Sequence, residues 1–202
     1  MRVADSAAAD SIPGLAERLL ADAPKRFALA ALSMGGYVAF EVLRRAPERV
    51  ERLALVDTTP KADRPEQTER RRMLVALAKA EGIRAVLPHL IPGFLAPHHR
   101  DDPALVEIIT GMAEEVGVGG FTRQQHAILG RVDSTPDLAR IGCPAAVIVG
   151  EHDQLTPPAG AAEMAAAIRG ATLTVIPDAG HLSPLENGAA VAAAMRAWLA
   201  QP

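Results

Sequence analysis

The chain should fold as an α/β protein, a mostly parallel sheet flanked by helices, with a helical insertion between two of its strands. Three features of the 202-residue sequence carry that expectation. Four short apolar runs, FALAAL at 27–32, LALV at 53–56, AAVIVG at 145–150 and LTVI at 173–176, read as strands of a buried sheet. Stretches with helical apolar spacing alternate with them. A charged stretch from Lys61 to about Asp137 has no strand-like run and is broken by prolines at 88, 92, 97 and 103.

Taken in order, Arg2 to Asp5 reads as a short strand. Ser11 starts a helix with Pro13 in its first turn and Leu15, Leu19 and Leu20 on one face. Phe27 to Leu32 is continuously apolar, as a strand buried on both faces would be. Gly35 to Arg45 follows as a helix with Val38, Phe40, Val42 and Leu43 as its apolar surface, and Leu53 to Val56 is the next strand, ended by Asp57 and Pro60. The character of the chain then changes, which divides it into a core of residues 1–60 and 138–202 and a helical cap of residues 61–137. Apolar cap residues such as Met73, Leu77, Leu90, Ile91 and Phe94 would pack the cap onto the sheet or line a pocket. Glu69-Arg70-Arg71-Arg72 reads as a solvated helix face, with a clamp for a substrate carboxylate as the sharper alternative. Ala145 to Gly150 is a strand, Pro158 to Ile168 a helix, Leu173 to Ile176 the last strand, and Gly188 to Leu199 the last helix, where Trp198 serves packing.

Composition excludes several functions. Hydrophobic residues make up 49% and charged residues 22%, which is ordinary for a globular chain and unlike a disordered one. A net charge of −3 offers no basic footprint for nucleic acid. No apolar run approaches the roughly 18 residues a membrane span needs. Met1 to Asp10 lacks the basic region and apolar run of a signal peptide, so the expected location is the cytoplasm. The single cysteine, Cys143, rules out an internal disulfide framework and reads as an inert packed thiol. His98-His99 with Asp101-Asp102 resembles a metal set only in composition, because adjacent side chains cannot easily face one ion. Neither metal nor organic cofactor is expected.

The chemistry concentrates where strands end. In Ala30-Ala31-Leu32-Ser33-Met34-Gly35-Gly36 an apolar strand runs into a serine, and glycines follow as a helix begins. A sharp strand-to-helix turn there lifts the hydroxyl clear of the backbone and directs the Met34 N–H toward a developing oxyanion. A serine hydroxyl needs a base, and His181 follows the last strand in Asp178-Ala179-Gly180-His181-Leu182-Ser183-Pro184. The base needs a group that fixes its tautomer, and Asp153 follows a buried strand in Gly150-Glu151-His152-Asp153-Gln154-Leu155-Thr156-Pro157. Strand C-termini of a parallel sheet meet at one edge, so all three fall together, in the order Ser, Asp, His. Simpler readings stand beside these: Ser33 as a helix N-cap, His181 as a turn residue, Asp153 as a turn cap. Asp57 also ends a strand and is a rival for the acid.

The segments FALAALSMGGYVAFEVLRRAPERVERLALVDT, VIVGEHDQLTPP and IPDAGHLSPLEN resemble the α/β-hydrolase fold superfamily over nearly the whole chain, with residues 61–137 in the place of that family's cap. The resemblance implies Ser33 as nucleophile, His181 as base and Asp153 as acid, and a cap that shapes the substrate pocket. Two departures stand out. Ala31 replaces the glycine of the G-x-S-x-G pattern. No early strand with a glycine-rich loop precedes Ser33, and that loop supplies the family's second oxyanion donor. If Arg2 to Asp5 corresponds to the family's fourth strand, the missing third strand is an interior one, and its neighbour's ladder groups would be left unpaired. A hydrolase shortened at its N-terminus is the expectation.

The function expected is hydrolysis of a small or medium carboxylic ester or lactone through an acyl-serine. Three alternatives stay open. The same residues serve C–C bond hydrolysis or acyl transfer. The absent oxyanion loop fits a weak or silent scaffold. An exposed strand edge fits association into a homo-oligomer.

Overall fold

A computed structural model describes residues 2–201. Its elements are α1 (Ile12–Asp22), β1 (Phe27–Leu32), α2 (Met34–Arg45), β2 (Val50–Val56), α3 (Pro65–Glu81), α4 (Leu87–Phe94), α5 (Pro103–Leu129), β3 (Ala145–Gly150), α6 (Pro158–Ala167), β4 (Thr172–Ile176), α7 (Ser183–Glu186) and α8 (Gly188–Leu199). The four strands form one parallel sheet in the order β1-β2-β3-β4. Each crossover is helical, as parallel pairing requires.

Side-chain alternation explains where the core lies. Leu53, Leu55, Ala145, Val147 and Val149 share one face with residues of α1, α2 and α6. Ala54 and Ala146 point the other way and meet Trp198, while Val56, Ile148 and Ile176 meet Val191, both on α8. Leu53 and Leu55 are fully buried, and each stabilises the fold by about 1.5–3 kcal/mol relative to exposure. Side chains close the helix starts: Ser11 Oγ accepts the Gly14 N–H at 3.2 Å, and Asp102 accepts the Ala104 N–H at 2.9 Å.

Two expectations about the sheet are corrected. Residues 2–5 form no strand. The segment just beyond them is drawn to α5 instead, where the Arg123 Nε–H donates to the Ala7 carbonyl at 2.7 Å and the Gln124 amide to Ser6 Oγ at 3.1 Å. β1 is consequently an edge strand rather than one buried on both faces. Leu29 and Ala31 join the core, but Ala28, Ala30 and Leu32 are exposed, because α8, which covers that face of the sheet, packs chiefly on β2, β3 and β4.

Between β2 and β3 the described residues contain no strand. The prolines mark helix starts as much as breaks: Pro88 and Pro103 occupy first turns, Pro92 lies inside α4, and α5 kinks at Gly117 with φ 64°. These helices pack on one another through Leu74, Val75, Ala78, Val86 and Phe121. Arg71 is not on a solvated face, as its neighbours suggested. It bonds Asp63 at 2.7 Å and Gln125 at 3.0 Å. Arg131 reaches the same Asp63 carboxylate at 2.7 Å and lies 4.4 Å over the Tyr37 ring. Burial alone would raise the Asp63 carboxyl, but the two guanidiniums outweigh it and hold the group below its ordinary value. Both ends of the helical insertion are thereby tied to α2, and Arg71 is satisfied inside the protein.

Candidate active site

β1 ends in a turn that no ordinary strand makes. Ser33 has φ 50° and ψ −114°, a left-handed conformation that costs a non-glycine residue about 1–3 kcal/mol. Its backbone is fixed from β2 and beyond: its N–H donates to the Val56 carbonyl at 2.9 Å, and its own carbonyl accepts the Thr58 hydroxyl at 2.7 Å. Gly36 makes that approach feasible, since a Cβ there would meet Thr58 Oγ1 at 2.2 Å. Although Ser33 occupies the N-cap position of α2, its hydroxyl makes no capping bond. Instead Ser33 Oγ lies 2.8 Å from His181 Nε2.

His181 Nδ1 lies 2.9 Å from Asp153 Oδ2. Asp153 is buried, and its carboxylate also accepts the Leu155 N–H at 2.8 Å, the Thr156 N–H at 2.9 Å and the Thr156 hydroxyl at 2.5 Å. A carboxylate surrounded by donors takes the Nδ1 proton bond as well, which leaves Nε2 free to accept from Ser33. The three residues are thus joined in one hydrogen-bonded line. Met34 is the first residue of α2, and its N–H lies among the helix donors that lack an intrahelical carbonyl.

Asp57, the rival acid, sits elsewhere. Fully buried at φ 45°, it accepts the Gly150 N–H at 2.8 Å and the Ser183 hydroxyl at 2.6 Å, with no bond to His181. Burial pushes its carboxyl up to about 7, against the bonds from Ser183 and Gly150.

The sequence reading missed the groups that hold the His181 loop. Glu186, with a fully buried side chain, accepts the Gly180 N–H and the Ala96 N–H, each at 2.7 Å, and lies 3.0 Å from His99 Nδ1. The Leu182 N–H donates to the Phe94 carbonyl at 3.0 Å, and the Phe94 ring stacks on His181 with centroids 6.1 Å apart. None of these left a local signal; the Thr156 bonds to Asp153 did, because Asp-x-x-Thr favours a turn in which the Asp side chain accepts local donors. Gly150 packs against this loop so closely that a Cβ would meet the Gly180 carbonyl oxygen at 2.0 Å. Gly150→Ala is therefore expected to destabilise the protein by about 1–3 kcal/mol or more, read as a lowered urea midpoint.

Elsewhere, Glu151, His152 and Asp178 bring three candidate metal-ligand atoms within 4.8 Å of one another on exposed or half-exposed loops. His98 and His99 do not join them in that set. The Cys143 thiol is raised by burial, in keeping with an inert packed residue. Among the described residues no helix is long and apolar enough to cross a membrane.

The model of the alpha/beta hydrolase family matches residues 2–194. The chain belongs to the alpha/beta hydrolase family. An esterase from Thermogutta terrifontis superposes with a TM-score of 0.87 at 33% identity, covering 94% of this chain and 72% of that one. The enol-lactonase of Burkholderia xenovorans gives 0.84 at 28% identity, covering 95% and 74%. A pimeloyl-[acyl-carrier protein] methyl ester esterase of Chromobacterium violaceum is 27% identical over 171 residues, 83% of this chain and 67% of that protein. This α/β hydrolase departs mildly from the elbow pattern at Ala31. Ala31 is buried and keeps a negative φ, so its backbone does not call for glycine, and the Gly35 backbone leaves its Cβ room.

Proposed function

We propose that this α/β hydrolase cleaves a small or medium, largely apolar carboxylic ester or lactone through an acyl-serine intermediate. The observation that carries the reading is the unbroken line from Ser33 Oγ through His181 to Asp153, with contacts of 2.8 and 2.9 Å. Ser33 Oγ attacks the carbonyl carbon while His181 Nε2 takes its proton. The oxyanion forms near the Met34 N–H at the positive end of α2. Collapse breaks the bond to the leaving oxygen, which takes the proton back from His181. Water then attacks the acyl carbon with His181 as base, and the carboxylic acid departs as Ser33 is restored. Asp153 holds the imidazole in the tautomer that this sequence of steps needs.

The esterase, enol-lactonase and methyl ester esterase relatives all take their names from ester cleavage, which supports the substrate class. Residues 61–137 act as a cap in this reading. Phe94 from α4 covers His181, and Leu155 lies against Gly93 of the same helix, so the wall nearest the reacting atoms is apolar. A fluorophosphonate probe tests the proposal. Stoichiometric labelling mapped to Ser33 by peptide mass spectrometry is expected; labelling at another residue, or none, overturns it.

A further inference from the structure

A buried carboxylate that the reaction does not use lies directly behind the site. Asp57 Oδ1 accepts the Gly150 N–H at 2.8 Å, from the end of the strand that leads into Asp153. Its Oδ2 accepts the Ser183 hydroxyl at 2.6 Å and the Ser183 N–H at 3.3 Å, two residues beyond His181. One side chain thus grips both loops whose separation sets the Asp153–His181 contact. We propose that Asp57 is a positioning residue that fixes His181 against Asp153, acting through Gly150 and Ser183 and not as the acid itself. The proposal rests on the Ser33–His181–Asp153 reading above.

The choice of residue follows from donor counting. Three donors converge on Asp57, and two of them are backbone N–H groups that cannot reverse. An ionised carboxylate offers acceptors on both oxygens. Asparagine has one acceptor oxygen, so whichever way its amide turns, an NH2 group faces a backbone N–H. A protonated Asp57 loses part of its accepting capacity in the same way. The charged or titratable groups that bear on Asp57 are His181 and Asp153. Because burial pushes the carboxyl from 3.8 up to about 7, the strap is complete only above that pH. The linkage to stability runs in the opposite sense. Folding favours the protonated form, so the stability Asp57 contributes is fully present below about 4 and is lost as pH rises through about 7. The form that positions His181 best is the form that costs the fold most.

The test compares wild type, Asp57→Asn and Ser183→Ala. Asp57→Asn is expected to lower kcat on a short-chain activated ester on the order of 10- to 100-fold at pH 8 with KM little changed, since a displaced base misaligns the reaction without touching substrate. Ser183→Ala removes one bond and is expected to lower kcat a few-fold in the same direction. The melting temperature of wild type should fall relative to Asp57→Asn between pH 5 and pH 8. A second readout does not need turnover: the low-field proton NMR signal of the His181 Nδ1–H bond to Asp153 should be sharp in wild type and broadened in Asp57→Asn. Wild-type kcat with an unchanged signal in Asp57→Asn overturns the assignment, and so does a loss expressed wholly in KM. If Asp57→Asn does not fold, Ser183→Ala decides on the same criteria. Failure of Ser33 to label is a separate result that removes the catalytic reading alone, and the NMR comparison still judges Asp57.

Discussion

Ser33→Ala is expected to abolish hydrolysis of a short-chain activated ester, with kcat falling on the order of 10^5- to 10^6-fold. His181→Ala should fall by a similar factor. The two residues act as a unit, so the double variant should be little worse than either single one. Deleting the hydroxyl leaves no nucleophile, and deleting the imidazole leaves a hydroxyl that no base can deprotonate. Stability is the control. Ser33 Oγ bonds His181 and makes no cap, and alanine bears the same Cβ at φ 50°, so Ser33→Ala keeps the backbone strain as it was. Its melting temperature should therefore stay close to that of wild type while activity disappears. Turnover that survives in a correctly folded Ser33→Ala protein would falsify the nucleophile assignment.

What the sequence disclosed follows from the range of the interactions concerned. The turn at Ser33 was legible because its determinants are local: an apolar run, one serine and two glycines within a few positions. β3 was legible because all six of its residues are buried and read as one apolar run. The last helix, from Gly188 to Leu199, agrees with its periodicity to the residue. β1 was misread as doubly buried because Ala28 and Ala30 are small and apolar whichever side of a sheet they face. Edge or interior is decided by a neighbouring strand, and no local pattern encodes that. The partners of Asp57 lie 93 and 126 residues away in sequence, and those of Glu186 include Ala96, 90 residues away. Arg71 looked solvated among Glu69, Arg70 and Arg72 because only the fold brings Asp63 and Gln125 to it. Buried polar groups were the hardest to foresee, since their partners are mostly backbone donors that composition does not distinguish.

Asp153→Asn is expected to lower kcat by about 10^4-fold, well beyond the effect of Asp57→Asn. The effect depends on which atom of the amide faces the imidazole. The N–H groups of Leu155 and Thr156 both point at Oδ1, so an asparagine keeps its oxygen there and presents NH2 where Oδ2 stood. That NH2 would face His181 Nδ1, which must then accept a hydrogen bond. The ring proton moves to Nε2, and Nε2 now donates toward Ser33 instead of taking its proton. The loop need not move for this to happen, because the Thr156 hydroxyl can rotate to accept from the new amide. Activity thus falls through the tautomer, with geometry and KM close to those of wild type. Were Asp57 the acid, the order of the two asparagine variants would be reversed. Kinetics of both under the same conditions separate the assignments, since one substitution reverses the proton at the reacting nitrogen and the other only loosens the loop that carries it.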